Sequence, residues 1–374
     1  MKKKIALIVR TVPRYRRRFY ELLQAAMADK GMELVLIYSR PDDRDRRRHD
    51  YAELSWARLV EHRVYRLFGT EWYWQSLGET LKDAELIVVQ NDYRLLANYL
   101  LLLQQKWGGR KVAYWEPCGA AKSDLGLERC ASYLTGGVHP AGWIVGNPDR
   151  AQSLCRLGYP AERIAVVPEA IDIAGLSETR SRLDDRLLSR LRYEMGLTEE
   201  DAVCAFIGHM DAEKRIPFLL EACRLIRRAV PRFHMVFIGA GEEDVRIKRA
   251  AEQHDWIHYA GPRFESDKVP YLAVSKLLLL PGAVGLTVYD GILFRLPVVT
   301  TALTGNEPHI RSETRSCVVE GGEDVDGYAG TVIRLLQDTQ AYKLAVNRIC
   351  GIGPKDTVES MVESFLEGIA KAIG

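Results

Sequence analysis

The sequence predicts an α/β chain of two domains with buried parallel strands. Three observations point there. Its 374 residues, 47% hydrophobic and 27% charged, fit two globular domains of ordinary size. Short apolar runs recur along both halves, separated by helix-length amphipathic segments, which is the pattern of buried parallel strands with crossover helices. One stretch, residues 277–301, holds a complete βαβ unit with a glycine-bearing turn.

In the first half, residues 5–9 read as a strand, too short an apolar run for a secretory signal. The helix that follows, from about Tyr15, puts Phe19, Leu22, Leu23, Ala26 and Met27 on one face. Arg16, Arg17 and Arg18 fall in its first turn, where cations oppose the helix dipole. A nearby anion and a solvated basic face account for them equally. Residues 33–38 are the second strand. Residues 40–50 (RPDDRDRRRHD) are expected to form an exposed charged loop. Asp43-Arg44-Asp45 lies inside that charge run and is not read as a metal site. Residues 84–89 form a strand followed by a helix over 95–106. Residues 111–115 form a strand leading to Glu116-Pro117-Cys118-Gly119. After the strand at 143–146, Asn147 is the expected helix cap, with Pro148 at the first helical position.

In the second half, residues 179–196 read as a linker and a lead-in helix. Residues 202–207 form a strand, then Gly208-His209 and, a few residues on, Lys214-Arg215. A cation at the C-terminal edge of a parallel strand suits a developing negative charge. Residues 234–238 form a strand before Gly239-Ala240-Gly241, and residues 257–261 a strand before Arg263 and Phe264. The apolar run at 277–280 ends at Pro281-Gly282; a helix over about 286–295 and a strand at 297–300 follow. Gly285 allows close backbone approach to a ligand, and the amides of the helix start attract an anion such as a diphosphate. Residues 357–370 put Val358, Met361, Val362, Phe365, Leu366 and Ile369 on one face of a last helix. Asp324-Val325-Asp326 reads as a solvated acidic turn.

A net charge of +2 gives no reason to expect nucleic acid. Seven scattered cysteines without a C-x-x-C point to a reducing compartment, with neither a disulfide framework nor a zinc site. The longest apolar stretch, 95–103, is too short to span a bilayer.

Taken in order, these motifs resemble the family 4 glycosyltransferases of the GT-B fold. Gly285, Leu286, Pro297, Val298 and Val299 match the family's nucleotide-sugar signature. Asp290 falls at its second Glu, which holds the ribose hydroxyls. Gly282 falls at its first Glu, which touches the donor sugar, so that carboxylate is missing. Gly208 and Lys214 match the earlier Gly-Arg-Leu and Lys-Gly pattern, with His209 where Arg is common and Arg215 where Gly is common. Gly239 and Gly241 match the Gly-x-Gly turn, and Arg263 stands where relatives contact the base. Trp115 and Gly119 fit a Trp-Gly-His-Gly motif whose His is absent; Glu116 or Cys118 lies near its place. Asp172 matches the end of Asn-Gly-Val-Asp, with Glu169 in place of the Asn. Thr304-Gly305-Asn306-Glu307 resembles a Gly-Pro-Glu segment.

The resemblance implies two Rossmann-like domains facing a cleft. Residues 1–172 would bind the acceptor. Residues 173–355 would supply the linker and the nucleotide-sugar domain, and 356–374 a helix crossing back to the N-terminal domain. It implies a retaining glycosyltransferase that moves a sugar from a nucleotide-diphosphate sugar to a hydroxyl of a glycan or lipid-linked acceptor, in cell-surface polysaccharide or glycolipid synthesis, without a metal or cofactor. Lys214, Arg215 and Glu116 are the expected catalytic residues. Gly208, His209, Gly239, Gly241, Arg263, Gly282, Gly285, Leu286 and Asp290 are the expected donor contacts. A non-catalytic GT-B subunit that binds a nucleotide sugar or glycan is the alternative: the missing Glu and His-Gly favour it, and Lys214 and Asp290 oppose it. A GT-B epimerase would need paired carboxylates and a His that the sequence does not assemble. Lys2, Lys3, Lys4, Arg10, Arg14 and Arg16 to Arg18, with Arg44 and Arg46 to Arg48, make the N-terminal segment strongly basic. That asymmetry points to a cytoplasmic enzyme, peripheral on an anionic inner leaflet, whose acceptor is a lipid-diphosphate-linked glycan with Arg14 or Arg17 nearest its phosphates. A soluble enzyme with a solvated basic surface is the other reading.

Overall fold

The computed structural model describes residues 3–67, 69–117, 139–301, 318–349 and 356–374. Contacts divide the chain into two compact units. One holds Met1–Asp42, Tyr51–Ala170 and Asp356–Gly374; the other holds Asp43–Asp50 and Ile171–Lys355.

The first unit carries β1 (Lys3–Ile8), β2 (Met32–Ser39), β3 (Arg58–Val60), β4 (His62–Leu67), β5 (Thr70–Gln75), β6 (Ala84–Gln90), β7 (Lys111–Glu116), β8 (Gly142–Val145) and β9 (Ile164–Val166). Seven of these form a parallel sheet in the order β3-β2-β1-β6-β7-β8-β9, while β4 and β5 pair as a separate antiparallel hairpin. Strand β1 explains why the runs are apolar throughout. Ile5 and Leu7 pack on one face with Phe19, Leu23, Trp115 and Phe365, and Ala6 and Ile8 pack on the other with Ile87, Leu101 and Trp143. Both faces are covered, so alternation gives way to a continuous hydrophobic run. The last helix, Val358–Ile373, buries Val358, Met361, Val362, Phe365 and Ile369 in the first of these cores and leaves Leu366 partly exposed. Thr357 and Ser360 close its N-terminus as a capping box.

The second unit carries β10 (Ala202–Ile207), β11 (Phe233–Ile238), β12 (Ile257–Gly261), β13 (Leu277–Leu279), β14 (Val298–Thr300) and β15 (Val318–Glu320). They form one parallel sheet in the order β12-β11-β10-β13-β14-β15, the doubly wound order of a nucleotide-binding sheet. The segment expected to link the domains is two capped helices, Ile173–Ser181 behind Asp172 and Asp185–Glu194 behind Asp184. Asn147 caps helix Pro148–Arg156 by accepting from the Arg150 amide at 2.7 Å. The acidic turn at Asp324 is likewise a cap, accepting from the Gly327 amide.

The charged loop at 40–50 needs correction. Asp43–Arg48 is a short helix, Asp45 is buried, and the segment belongs to the second unit. Arg48 pairs with Asp211, and Asp50 lies 3.1 Å from His209 Nε2. Opposite charges on the second unit, invisible in a local window, organise it. Cys118, Gly119 and residues 304–307 lie outside the described residues. No described helix is long and apolar enough to cross a membrane.

One pair in this unit sets a pH dependence. His234 and His258 stack with ring centroids 5.3 Å apart, and His234 Nδ1 lies 3.0 Å from His258 Nε2. Burial lowers the pKa of both, and the facing His234 helps bring His258 down to about 4. Asp201 and Asp255 act against this, and Arg227 with it at His234. The unfolded chain therefore binds more protons between its ordinary histidine value of about 6.5 and that lower value. Stability contributed by the neutral pair is present above that window and lost as pH falls through it. The urea midpoint should drop between about pH 6.5 and 4, and the drop should flatten in His258→Gln. An identical slope in the variant would assign the loss to other groups.

Candidate functional site

In the second unit the strand order reverses between β10 and β13, the point where ligands bind at the C-terminal edge of such sheets. The loops leaving these two strands carry most of the expected residues. Lys214 ends a 3-10 turn, Ala212–Lys214, and is 9% exposed. Its ammonium donates to the Ala283 carbonyl. A methyl group on Gly208 would come within 3.8 Å of Lys214 Cε, and one on Gly285 within 3.9 Å of Nζ. The lysine thus lies between the two glycine turns, and both glycines take positive φ, 142° and 63°. The loops are laced together: the Ala283 amide donates to Glu213 O at 3.1 Å, and Thr287 Oγ1 lies 3.4 Å from Ile207 O. Leu286 stands at the N-cap position of helix Thr287–Phe294, and the Tyr289 amide donates to its carbonyl at 3.0 Å, while helix geometry leaves the Thr287 and Val288 amides without an acceptor in their own helix.

Three other glycines serve the same loops by letting backbones touch. A side chain at Gly239 would strike Gly208 O, one at Gly241 would strike the Met210 backbone, and one at Gly282 would strike Glu213 O and Lys214 Cα. Gly282 is therefore the seat on which the Lys214 turn rests. A glutamate cannot occupy that position here, which gives a packing reason for the missing first carboxylate.

Asp290 is 4% exposed on helix Thr287–Phe294, and its Oδ1 lies 2.6 Å from Lys268 Nζ. Lys268 was not legible in the sequence: it closes a 3-10 turn at Glu265–Lys268 and reaches Asp290 only through tertiary packing. Arg263 lies over the Tyr271 ring at 5.7 Å and donates to Ala260 O at 3.0 Å. Glu116 lies in the first unit, at the end of β7. Arg150 grips both its oxygens at 2.9 and 3.0 Å, and Asn91 donates to it at 2.8 Å. A carboxylate held in such a fork is an acceptor already engaged. Among the described residues no three His, Cys, Asp or Glu side chains gather as a metal site.

Arg215 adopts φ 53°, the left-handed conformation that explains why glycine is common at this position in the pattern. Its guanidinium lies 4.2 Å over the Phe218 ring and 3.3 Å from Thr301 Oγ1. Alanine keeps the backbone strain and loses those contacts, whereas glycine loses both. Arg215→Gly should therefore be more stable than Arg215→Ala by about 1 kcal/mol in urea unfolding. Equal stabilities would remove the strain.

The basic N-terminal cluster is divided. Arg16 is buried against Glu169, with Nε 2.6 Å from Oε1, and Arg17 pairs with Glu21 at 2.9 Å. Arg14 and Arg18 are exposed.

Two parallel Rossmann-like sheets in one chain are the architecture of GT-B proteins. Residues 201–338 match the family described as Glycosyl transferases group 1. No curated protein matches the chain. Among solved structures, a glycosyltransferase from Rickettsia africae ESF-5 is similar at TM-score 0.68 and 12% identity, over 100% of this chain and 98% of that one. Anabaena HepE in complex with UDP is similar at TM-score 0.65 and 14% identity, over 98% and 99%. A putative UDP-N-acetylglucosamine 2-epimerase from Listeria monocytogenes is similar at TM-score 0.60 and 15% identity, over 99% and 96%. These likenesses establish the fold.

Proposed function

We propose that the chain is a retaining glycosyltransferase that takes a nucleotide-diphosphate sugar as donor. The observation that carries this is Lys214, held between Gly208 and Gly285 at the switch point of the second sheet. An ammonium there meets a diphosphate and neutralises the charge that grows on it as the sugar–phosphate bond breaks. The amides at the start of helix Thr287–Phe294 add to it. Asp290, oriented by Lys268, holds the ribose hydroxyls. The departing phosphate takes the acceptor proton in a front-face transfer without a bound metal. HepE is described with UDP and with UDP-glucose, which supports uridine nucleotides as the first donors to try.

The acceptor is a glycan or lipid-linked hydroxyl in cell-surface polysaccharide or glycolipid synthesis. Exposed Arg14 and Arg18 draw the first unit to an anionic cytoplasmic leaflet. Flotation with phosphatidylglycerol vesicles tests the attachment: Arg14→Glu/Arg18→Glu should lose salt-sensitive binding, and no binding by the wild type at low salt would end it. The activity itself is tested by thermal shift against a panel of nucleotide sugars, then by NMR of the product anomer. A stabilising donor and a retained anomer are expected. An inverted anomer removes the mechanism, an isomerised free nucleotide sugar points to an epimerase, and a donor bound but never consumed points to a non-catalytic subunit.

A further inference from the structure

The hairpin of β4 and β5 is a separate two-stranded sheet fastened to the C-terminal edge of the seven-stranded one. Gln75 donates to Val9 O at 3.0 Å and to Ser39 Oγ at 2.9 Å, where β1 and β2 end. The Tyr73 amide donates to Arg94 O at 2.8 Å, and Tyr73 bridges in parallel to Leu95, just beyond β6. The Tyr73 hydroxyl donates to Asp42 at 2.9 Å. The order reverses between β1 and β6 in this sheet too, so the hairpin stands at its switch point.

Alternate residues of a strand face opposite sides. Tyr73 and Gln75, each 2% exposed, define the inner face. The outer face therefore carries Trp72 opposite Tyr65 and Trp74 opposite Arg63. Tyr65 is 43% exposed, the two tryptophans are half-buried, and Tyr93 from the loop after β6 meets Trp72 edge-on at 6.1 Å. Successive same-face residues lie about 7 Å apart, so Trp72 and Trp74 present two neighbouring ring platforms. Guanidinium–carboxylate pairs line the Tyr73 side of the hairpin, Arg66 with Glu71 at 3.0 Å, Arg94 with Asp92 at 2.7 Å and Arg10 with Asp42 at 3.1 Å, while Arg63 is the guanidinium on the outer side.

We infer that this outer face is the docking platform for the saccharide of the acceptor, an inference that rests on the glycosyltransferase reading. Pyranose rings offer C–H faces to flat aromatic rings and hydroxyls to paired donors and acceptors at their rim. An anionic membrane asks for something else, a surplus of cations, and the outer face of the hairpin carries a single one, Arg63, among the rings of Tyr65, Trp72 and Trp74. The hairpin is continuous with the C-terminal edge of its own sheet, the edge at which such sheets take ligands.

The test is binding of the full chain, without donor, to an array of immobilised glycans of varied composition and linkage. The wild type should bind a defined subset. Trp72→Ala/Trp74→Ala should weaken that binding about tenfold or more, the scale of losing one to two aromatic stacking contacts. Tyr65→Ala, at an exposed position, should weaken it without disturbing the core, and Trp72→Phe should retain most of it. Thermal shift by uridine diphosphate, read on the second unit, should be unchanged in all variants. Binding to no glycan overturns the inference, as does binding unaffected by loss of the rings. Ring-dependent binding to phosphatidylglycerol vesicles with no glycan bound assigns the face to a membrane instead. Ring-dependent glycan binding without turnover of any nucleotide sugar keeps the platform and removes the transferase reading, so the two fail separately.

Discussion

The Lys214→Ala variant should lose about a hundred- to thousandfold in turnover, the scale seen when one preorganised partner of transition-state charge is removed. The ammonium lies between Gly208 and Gly285 and donates to Ala283 O, so its position is fixed before the donor arrives. Charge on the diphosphate grows only as the glycosidic bond breaks. The loss should therefore appear equally in kcat and kcat/KM rather than in KM alone. Stability should fall little. The Ala283 carbonyl loses one donor, on the order of 1 kcal/mol, while the loop keeps its backbone bonds. Lys214→Met keeps the stem and separates packing from charge: it should be as inactive as alanine and closer to wild type in stability. Unchanged turnover in either variant takes Lys214 out of the reaction.

The longer strands were readable because both faces of each sheet are covered, which turns a strand into an apolar run, while the three-residue edge strands β3, β9 and β15 were not read. The order of the strands was not readable, since a run such as Leu277 to Leu280 does not say which neighbour it pairs with. Lys214 was singled out by the order of motifs that resembles the family pattern, and the structure places it beside Gly208 and Gly285. Its support was not readable: the close backbone contacts at Gly239, Gly241 and Gly282 depend on loops far apart in the chain. Lys268 and Arg150 were missed for the same reason. The hairpin did leave a signal that went unread. Residues 62–67 and 70–75 are aromatic-rich and separated by two residues that end in Gly69, which has φ 75°. Of the two readings of the arginines crowding the start of helix Arg17–Asp29, the exposed face holds for Arg18 and the nearby anion for Arg16. For Arg16 the anion is Glu169, 153 residues further on.

That pair should give the largest stability effect in the molecule. Arg16 and Glu169 are both buried, Glu169 at 2% exposure, and the guanidinium lies 5.2 Å from the Tyr15 ring centre and 5.1 Å from that of Trp115. Burial alone would lower the Arg16 pKa, but the Glu169 carboxylate outweighs it and holds the cation well above the ordinary arginine value. Burial also pushes the neighbouring Tyr20 hydroxyl up to about 12, so it offers no counter-charge at neutral pH. Removing one partner strands the other as an uncompensated charge. Arg16→Met and Glu169→Leu should each cost about 3–5 kcal/mol in urea unfolding at pH 7. The double variant removes both desolvation penalties and fills the space with apolar groups, so it should recover most of that loss. A large favourable coupling in this cycle is the expected outcome. Single losses under about 1 kcal/mol, or losses that simply add, would mean that water reaches the pair. Arg16→Glu should be the worst of all, because it sets two carboxylates face to face in a buried site. Any charge-reversal test of membrane attachment must therefore leave Arg16 in place.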